Sequence, residues 1–329
     1  MAQNKIDFVI PWVDGSDPEW QKKKALYSGV EYNPNDAARF RDWDTLKYWF
    51  RGVEKFAPWV GDVYFISDNQ KPEWLNLNHP KLKWVKHSDY IPKEYLPTFN
   101  SHTIIWNLHR IETLSENFVL FNDDVFLINK AEPSDFFKNG LPCDWPQIRN
   151  AVFSGDFTHI VVNNHLLMQK HFSLKKSAKE NLGGWLKAQK PSFLAGYLFN
   201  KRGLTPVLTD WHVQTSYSKK TFEAVWTVEF EKINQTCLNK FRSNADVSDW
   251  CLRYWQIYNN NFVSKKPIGK YFEIASLDKN NKLIKCLKGK NFKTICLNDT
   301  ENEVNFNRHK QVITSLLEEI LPEKSSFEV

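Results

Sequence analysis

From Phe118 the chain runs Phe-Val-Leu-Phe, breaks into Asn122-Asp123-Asp124 and resumes as Val125-Phe126-Leu127. The pattern is that of a buried strand ending in carboxylates. Adjacent acids inside an apolar flank are expensive unless something cationic meets them. Oxygen-donor side chains next to substrate phosphates form the usual environment of Mg²⁺, whereas clustered thiolates or imidazoles favour a transition metal. The residues also admit a plainer arrangement, with one Asp capping a turn and the other solvated.

The segments around this run alternate between two periods. Ile6–Ile10 reads as a short buried strand stopped by Pro11 and the turn-rich Asp14-Gly15-Ser16-Asp17-Pro18. Leu46, Trp49, Phe50 and Val53 follow helical spacing, so a helix is expected from about Asp42 until Pro58. Val63–Ile66 and Leu82–Val85 are further strands, and Ile104, Leu108 and Ile111 mark a helix feeding the strand that ends at Asp123. Strands alternating with helices indicate an α/β fold with a mostly parallel sheet and crossover helices. Residues 1–130 form the ligand-binding α/β part. Residues 131–329 are expected to be mainly helical, packing on the sheet and completing the same domain. Within them, His165–Lys190 reads as insertion helices or a lid. Helical spacing returns at Phe222–Ile233, Val247–Tyr258 and Val312–Ile320.

A chain of 329 residues can bury a large core. Its 14 Trp and 24 Phe provide rings that could stack on a base or a sugar, although most rings of this kind serve the core. The net charge of +6 has no long basic block behind it, which suits an anionic ligand or a membrane surface and argues against nucleic acid. Five cysteines without C-x-x-C spacing read as reduced, buried thiols. No export signal or membrane-spanning run is visible, so a cytoplasmic protein is expected, peripheral to the inner face of the cell membrane if it meets one at all.

Further polar clusters interrupt the apolar pattern. Asp14-Gly15-Ser16-Asp17 is either a backbone approach to a ligand or a solvated Asx turn. Arg39-Phe40-Arg41-Asp42 stands at a helix start, where Asp42 could be the N-cap while the arginines would attract an external anion. Asn100-Ser101-His102 with His109-Arg110, Trp211-His212-Val213-Gln214 with Phe241-Arg242-Ser243, and Ile295–Asp299 complete the set. Histidine can serve as a base near neutral pH and arginine can hold phosphate oxygens with two donors. No Walker loop, G-x-G-x-x-G, G-x-S-x-G or H-E-x-x-H occurs, which disfavours P-loop, dinucleotide, serine-hydrolase and zincin chemistry.

Taken in order, these clusters resemble the Stealth family of sugar-1-phosphate transferases, which includes bacterial capsular polysaccharide phosphotransferases and the animal GlcNAc-1-phosphotransferase. The segments carrying the resemblance are Ile6–Pro18, Arg39–Trp59, Leu96–Phe126, Trp211–Arg242, Lys293–Asp299 and Leu321–Glu328, and they run from end to end of the chain. The resemblance implies a GT-A-like fold and transfer of a hexose-1-phosphate, such as GlcNAc-1-phosphate, from a UDP-sugar to a hydroxyl of an oligo- or polysaccharide acceptor. A phosphodiester and UMP would result. Asp14, Gly15, Asp17, Arg41, Asp42, Arg110, Asn298 and Asp299 match positions expected near the donor. Asp123, Asp124, His212 and Arg242 match the family's active-site blocks. Two positions depart from its pattern: Asp14 stands where many relatives have Asn, and His102 where animal members have Pro.

With those assignments, Asp123 or Asp124 would hold Mg²⁺, or Mn²⁺, against the pyrophosphate. Arg242 would stabilise charge on the transferred phosphoryl group, and His212 or a nearby carboxylate would deprotonate the acceptor. Two rivals remain: a metal-dependent GT-A glycosyltransferase releasing UDP, and a non-catalytic carbohydrate-binding protein that uses the tryptophans.

Overall fold

The computed structural model describes residues 5–29, 42–150, 157–189, 206–277, 282–289, 291–299 and 305–329. Four parallel strands, β1 (Ile6–Pro11), β2 (Val63–Ser67), β3 (Leu82–Lys86) and β4 (Asn117–Leu120), form the centre of the main sheet. Strand Thr215–Ser218 adds to it antiparallel against β4, giving the spatial order 215–218, β4, β1, β2, β3. Because β1 leads to β2 and β3 on one side while β4 lies on the other, the chain reverses its direction of growth between β1 and β4. The crevice beyond the carboxyl ends of those two strands is the switch point at which open α/β sheets bind ligands.

Side-chain alternation explains why this sheet is covered twice. Phe8 and Ile10 of β1, Val63 and Phe65 of β2 and Val119 of β4 enter one core, whereas Val9, Tyr64, Ile66, Phe118 and Leu120 enter the other. The first core is closed by α2 (Leu46–Phe56) and by helix Phe306–Ile320. The second is closed by helices Ser101–Trp106, Lys219–Val228, Phe230–Leu238 and Trp250–Tyr258. Each fully buried Val, Leu, Ile or Phe removes enough apolar surface from water to contribute about 1.5–3 kcal/mol before entropy is counted. Both cores draw on residues from either side of position 130, and the largely helical second half packs onto the sheet. No helix among the described residues is long and apolar enough to cross a membrane.

After β4 the chain leaves the main sheet. The short β5 (Val125–Leu127) pairs antiparallel with strand Thr294–Asn298, which pairs in parallel with Gly269–Glu273. Asn122-Asp123-Asp124 is therefore the turn that carries the chain from one sheet to another. Helix α2 lies close against β5 because position 52 is glycine: a Cβ there would stand 2.6 Å from the Leu127 carbonyl oxygen.

Several boundaries differ from the periodicity. Helix α2 begins at Leu46 with Thr45 at its N-cap, so Asp42 does not cap it; the Asp42 carboxylate instead accepts the Asp44 N–H at 2.8 Å. The helix expected through Ile104, Leu108 and Ile111 ends at Trp106, and Leu108–Arg110 is a separate 3₁₀ turn. At the break Asn107 donates its side-chain amide to the Thr103 carbonyl at 2.8 Å, a local bond of the kind that competes with helix. The spacing from Phe222 to Ile233 is split at Glu229, which turns inward to meet the His171 ring at 2.6 Å and Lys170. The helices carrying the Val247–Tyr258 and Val312–Ile320 spacings start at Trp250 and Phe306. Most of residues 165–186 lie in helices Phe157–His171, Leu174–Glu180 and Leu182–Leu186, and Lys190 lies outside the described residues.

Candidate active site

Two acid-bearing loops meet at the switch point. The loop after β1 is held by Gln70, whose side chain accepts the Asp14 N–H at 3.0 Å and donates to the Asp14 carbonyl at 3.0 Å and to Asp17 Oδ2 at 2.9 Å. Asp14 Oδ1 accepts from both the N–H and the hydroxyl of Ser16. Asp17 is the N-cap of α1 (Pro18–Ser28), accepting the Glu19 and Trp20 N–H groups. The hydrogen bond from Gln70 and those two backbone donors hold the Asp17 carboxyl below the usual carboxylate range. Gly15 is buried and its carbonyl accepts from Gln21.

The turn after β4 is built differently. Asp124 Oδ2 accepts the Cys296 thiol at 3.2 Å and the Asn298 amide at 3.3 Å, and His212 Nε2 lies 4.0 Å away. Asp124 Oδ1 is buried without a hydrogen-bond partner. Beside it, crowding protein, the Asp124 charge and Asp42 push the Asp123 carboxyl up to about 7. Asp123 nevertheless keeps an exposed surface, so solvent moderates the crowding and repulsion from the neighbouring carboxylates is the firmer cause. Asn298 is fixed from its other side by the Tyr271 hydroxyl at 3.1 Å, and Asp299 accepts the Trp43 indole N–H at 3.2 Å. Asp42 also shifts upward, through the protein crowding one side of an otherwise exposed carboxyl and through the adjacent Asp44.

His212 reaches this turn because strand Thr215–Ser218 runs antiparallel to β4 and places the residues before Thr215 beyond the carboxyl end of Leu120. It sits in the left-handed region at φ 49°, a conformation that costs a non-glycine residue on the order of 1 kcal/mol. Its ring packs 5.3 Å from Tyr271 and edge-on to Trp250 at 6.4 Å. Trp250 follows Asp249, whose carboxyl burial pushes up to about 6 and whose Oδ2 accepts the Tyr217 hydroxyl at 3.3 Å. Asp249 Oδ1 is 4.0 Å from His102, a ring that burial and the Arg242 charge hold down to about 3. Arg242 donates Nε and Nη2 to Ser101 Oγ at 3.2 and 2.5 Å, next to the stacked pair Phe99 and Phe241.

The structure thus gathers Asp123, Asp124, His212, Asn298, Asp299 and Asp42 around one mouth, with Arg242 on the flank that Asp249 and Trp250 connect to His212. Arg110 has a different setting: it bonds Asn107 at 2.9 Å and lies over the Trp226 ring at 5.2 Å, and none of its described contacts reaches the acidic turn. Arg39 and Arg41 lie outside the described residues. The sequence pattern does not single out Tyr271, Trp250 or Asp249, since only long-range strand pairing and helix docking bring them here. Cysteine spacing makes Cys296 one more buried thiol; its position inside Ile295–Asp299 is the signal that it belongs to the site.

Asp124, His212 and Cys296 offer donor atoms within 4.8 Å of one another. Burial and Asp124 push the Cys296 thiol far above its ordinary range, so it stays protonated and acts as a hydrogen-bond donor. What is left for a cation is the unpartnered Asp124 oxygen, Asp123 and the surrounding carboxylates. That oxygen-rich set fits Mg²⁺ or Mn²⁺ better than a soft metal.

Two family descriptions match the chain: Stealth protein conserved region 1 at residues 4–29 and conserved region 2 at residues 39–143. The chain is 42% identical to the capsular polysaccharide phosphotransferase WcwK of Streptococcus pneumoniae, covering 99% of both sequences. It is 37% identical to the receptor polysaccharide phosphotransferase WefC of Streptococcus oralis, over 99% of this chain and 100% of that one. Against the exopolysaccharide phosphotransferase cps2G of Lactiplantibacillus plantarum the identity is 36%, over 98% and 96%. The apo glycosyltransferase GlyE of Streptococcus pneumoniae TIGR4 superposes on 99% of this chain and 65% of its own, with 8% identity and a TM-score of 0.39, a level from which nothing is carried across.

Proposed function

This chain belongs to the Stealth family, and from that premise we propose that it transfers a hexose-1-phosphate from a UDP-sugar to a hydroxyl of a surface-polysaccharide acceptor. The observation that carries the proposal is the convergence of His212 on the under-satisfied Asp123–Asp124 turn at the switch point of the sheet. The acceptor oxygen attacks the phosphorus that bears the sugar, the bridge to the uridylyl phosphate breaks, and UMP leaves. The anomeric C–O bond survives, and the new P–O bond makes a phosphodiester.

His212 takes the proton from the attacking hydroxyl, a role worth roughly 10²–10⁴ in rate for a well-placed base. Its backbone strain and the Tyr271 and Trp250 rings restrict it to the orientation facing Asp124. Arg242 neutralises charge developing on the transferred phosphoryl oxygens. Asp123 and Asp124 would hold Mg²⁺ or Mn²⁺, which when bound supplies Lewis-acid neutralisation of the pyrophosphate. Asn298 and the Cys296 thiol orient Asp124 from behind, as hydrogen-bonded partners of a ligating carboxylate do. Asp42 and Asp299 line the donor side, while the Asp14–Asp17 loop shapes it through a backbone clamped by Gln70. The UDP-sugar donor sets the reaction in the cytoplasm, at the inner face of the membrane where the acceptor is extended.

His212→Ala and Arg242→Ala are expected to lower turnover at least a hundredfold while leaving the circular-dichroism spectrum and melting temperature near those of the wild type. Near-normal turnover in a folded variant removes the role assigned to that residue.

A further inference from the structure

We infer that the recess on the other side of His212 is the acceptor subsite, a stacking platform for an oligosaccharide. This deepens the transferase assignment and rests on it. The recess is a shallow one, open to solvent and enclosing about 50 Å³, and its walls include Trp145, Trp211, Trp250, Gln214, Lys266 and His212. Asp123, Asp124 and Asn298 are not among its lining residues, so His212 is the group shared by the acidic turn and the recess. A base that serves an acceptor hydroxyl must border the place where the acceptor lies, and His212 does so on this side.

Three half-buried indoles face one space beside that base. Flat aromatic faces suit the C–H faces of a sugar ring, and neighbouring amide and ammonium groups suit its hydroxyls. The way two of the indoles are held sets them apart from ordinary core rings. Arg253, buried, donates Nε and Nη2 to Asp144 at 2.8 and 2.7 Å and Nη1 to Asp210 at 3.2 Å. Asp210 also accepts the Tyr254 hydroxyl. Asp144 immediately precedes Trp145, accepting its N–H at 2.6 Å, and Asp210 immediately precedes Trp211. The Trp211 indole N–H then reaches the Trp145 carbonyl at 3.3 Å. A buried arginine with two carboxylates is an unprofitable way to gain stability. Here it fixes the backbone under both rings, and rigid placement is what a binding platform needs.

The test measures two dissociation constants by intrinsic fluorescence. One probe is the set of one- and two-repeat oligosaccharides cut from the source strain's surface polysaccharide at its phosphodiesters. The other is a panel of UDP-GlcNAc, UDP-glucose and UDP-galactose. Wild-type protein is expected to bind the oligosaccharides without nucleotide present. Trp211→Leu and Trp145→Leu are each expected to weaken that binding at least tenfold, while affinity for the bound UDP-sugar stays within twofold. Trp211→Phe, which keeps a flat ring, retains most of the affinity and guards against a folding defect in the leucine variant. Wild-type oligosaccharide affinity in either leucine variant overturns the inference, as does equal loss in Trp211→Phe and Trp211→Leu when both are folded. Loss of oligosaccharide binding in the leucine variants, with no UDP-sugar bound by any form, keeps the platform and sinks the transferase assignment. UMP-forming turnover with an acceptor KM indifferent to Trp211→Leu does the reverse.

Discussion

The loops after β1 and β4 look alike in sequence, each bringing two aspartates to the carboxyl end of a parallel strand, yet they use their carboxylates in opposite ways. After β1, Asp14 and Asp17 are spent on Ser16, Gln70 and the N-terminus of α1, and Asp17 ionises more readily than an ordinary carboxyl. After β4, Asp124 keeps one buried oxygen without a partner and Asp123 resists ionisation up to about pH 7. A loop whose acids are tied into a turn and a helix cap is architecture, and a loop that buries an oxygen without a partner waits for a ligand.

The largest effect that could break this comparison is on turnover. Asp124→Asn is expected to reduce transfer at least a thousandfold with a melting temperature close to that of the wild type, because it removes a charge next to Asp123 and leaves Asp124's one buried, unpartnered oxygen no worse satisfied. Loss of fold along with activity would mean that Asp124 is structural. Asp17→Ala should show the converse: a loss of about 1 kcal/mol in unfolding free energy, typical of a missing N-cap, with turnover changed less than tenfold. If the two variants give the same balance of stability and activity, the distinction fails.

A smaller effect is the sign of the pH dependence. Asp17 has a folded pKa below its unfolded value of 3.8, so its contribution is present above that value and lost as pH falls through the folded pKa. Asp123 is the opposite. Its folded pKa of about 7 lies above 3.8, so between those values the folded state holds a proton that the unfolded state has released, and stability declines as pH rises through this window. Asp123→Asn should therefore gain on the wild type as pH goes from 4 to 8, by an amount that solvent at the exposed side of Asp123 keeps modest, whereas Asp17→Asn should lose most above pH 4. Denaturant melts at three pH values read both trends, and parallel trends would contradict the assignment of the two loops.

Much of the fold is legible in the sequence itself. The short runs at Ile6, Val63, Leu82 and Phe118 become four parallel strands because their side chains alternate between two apolar cores. The helix boundaries are less legible, since Asn107 and Glu229 interrupt apolar spacing with side-chain bonds that a periodicity does not register. At the site, Asp123, Asp124, His212 and Asn298 stand in recognisable clusters. Gln70 offers no local hint that it clamps the Asp14 backbone and the Asp17 carboxylate from 53 to 56 positions away. Tyr271 and Trp250 likewise depend on strand pairing and helix docking across more than a hundred residues of chain. Sequence shows where carboxylates end a strand, but whether they are already satisfied is decided by partners brought in from elsewhere.

The central claim, that the turn after β4 and His212 carry sugar-1-phosphate transfer, is tested most directly by the nucleotide released. With a UDP-sugar, acceptor oligosaccharide and Mg²⁺, chromatography of the products should show UMP formed in step with phosphodiester by the wild type and not by Asp124→Asn or His212→Ala. Release of UDP in step with a new glycosidic bond would contradict it.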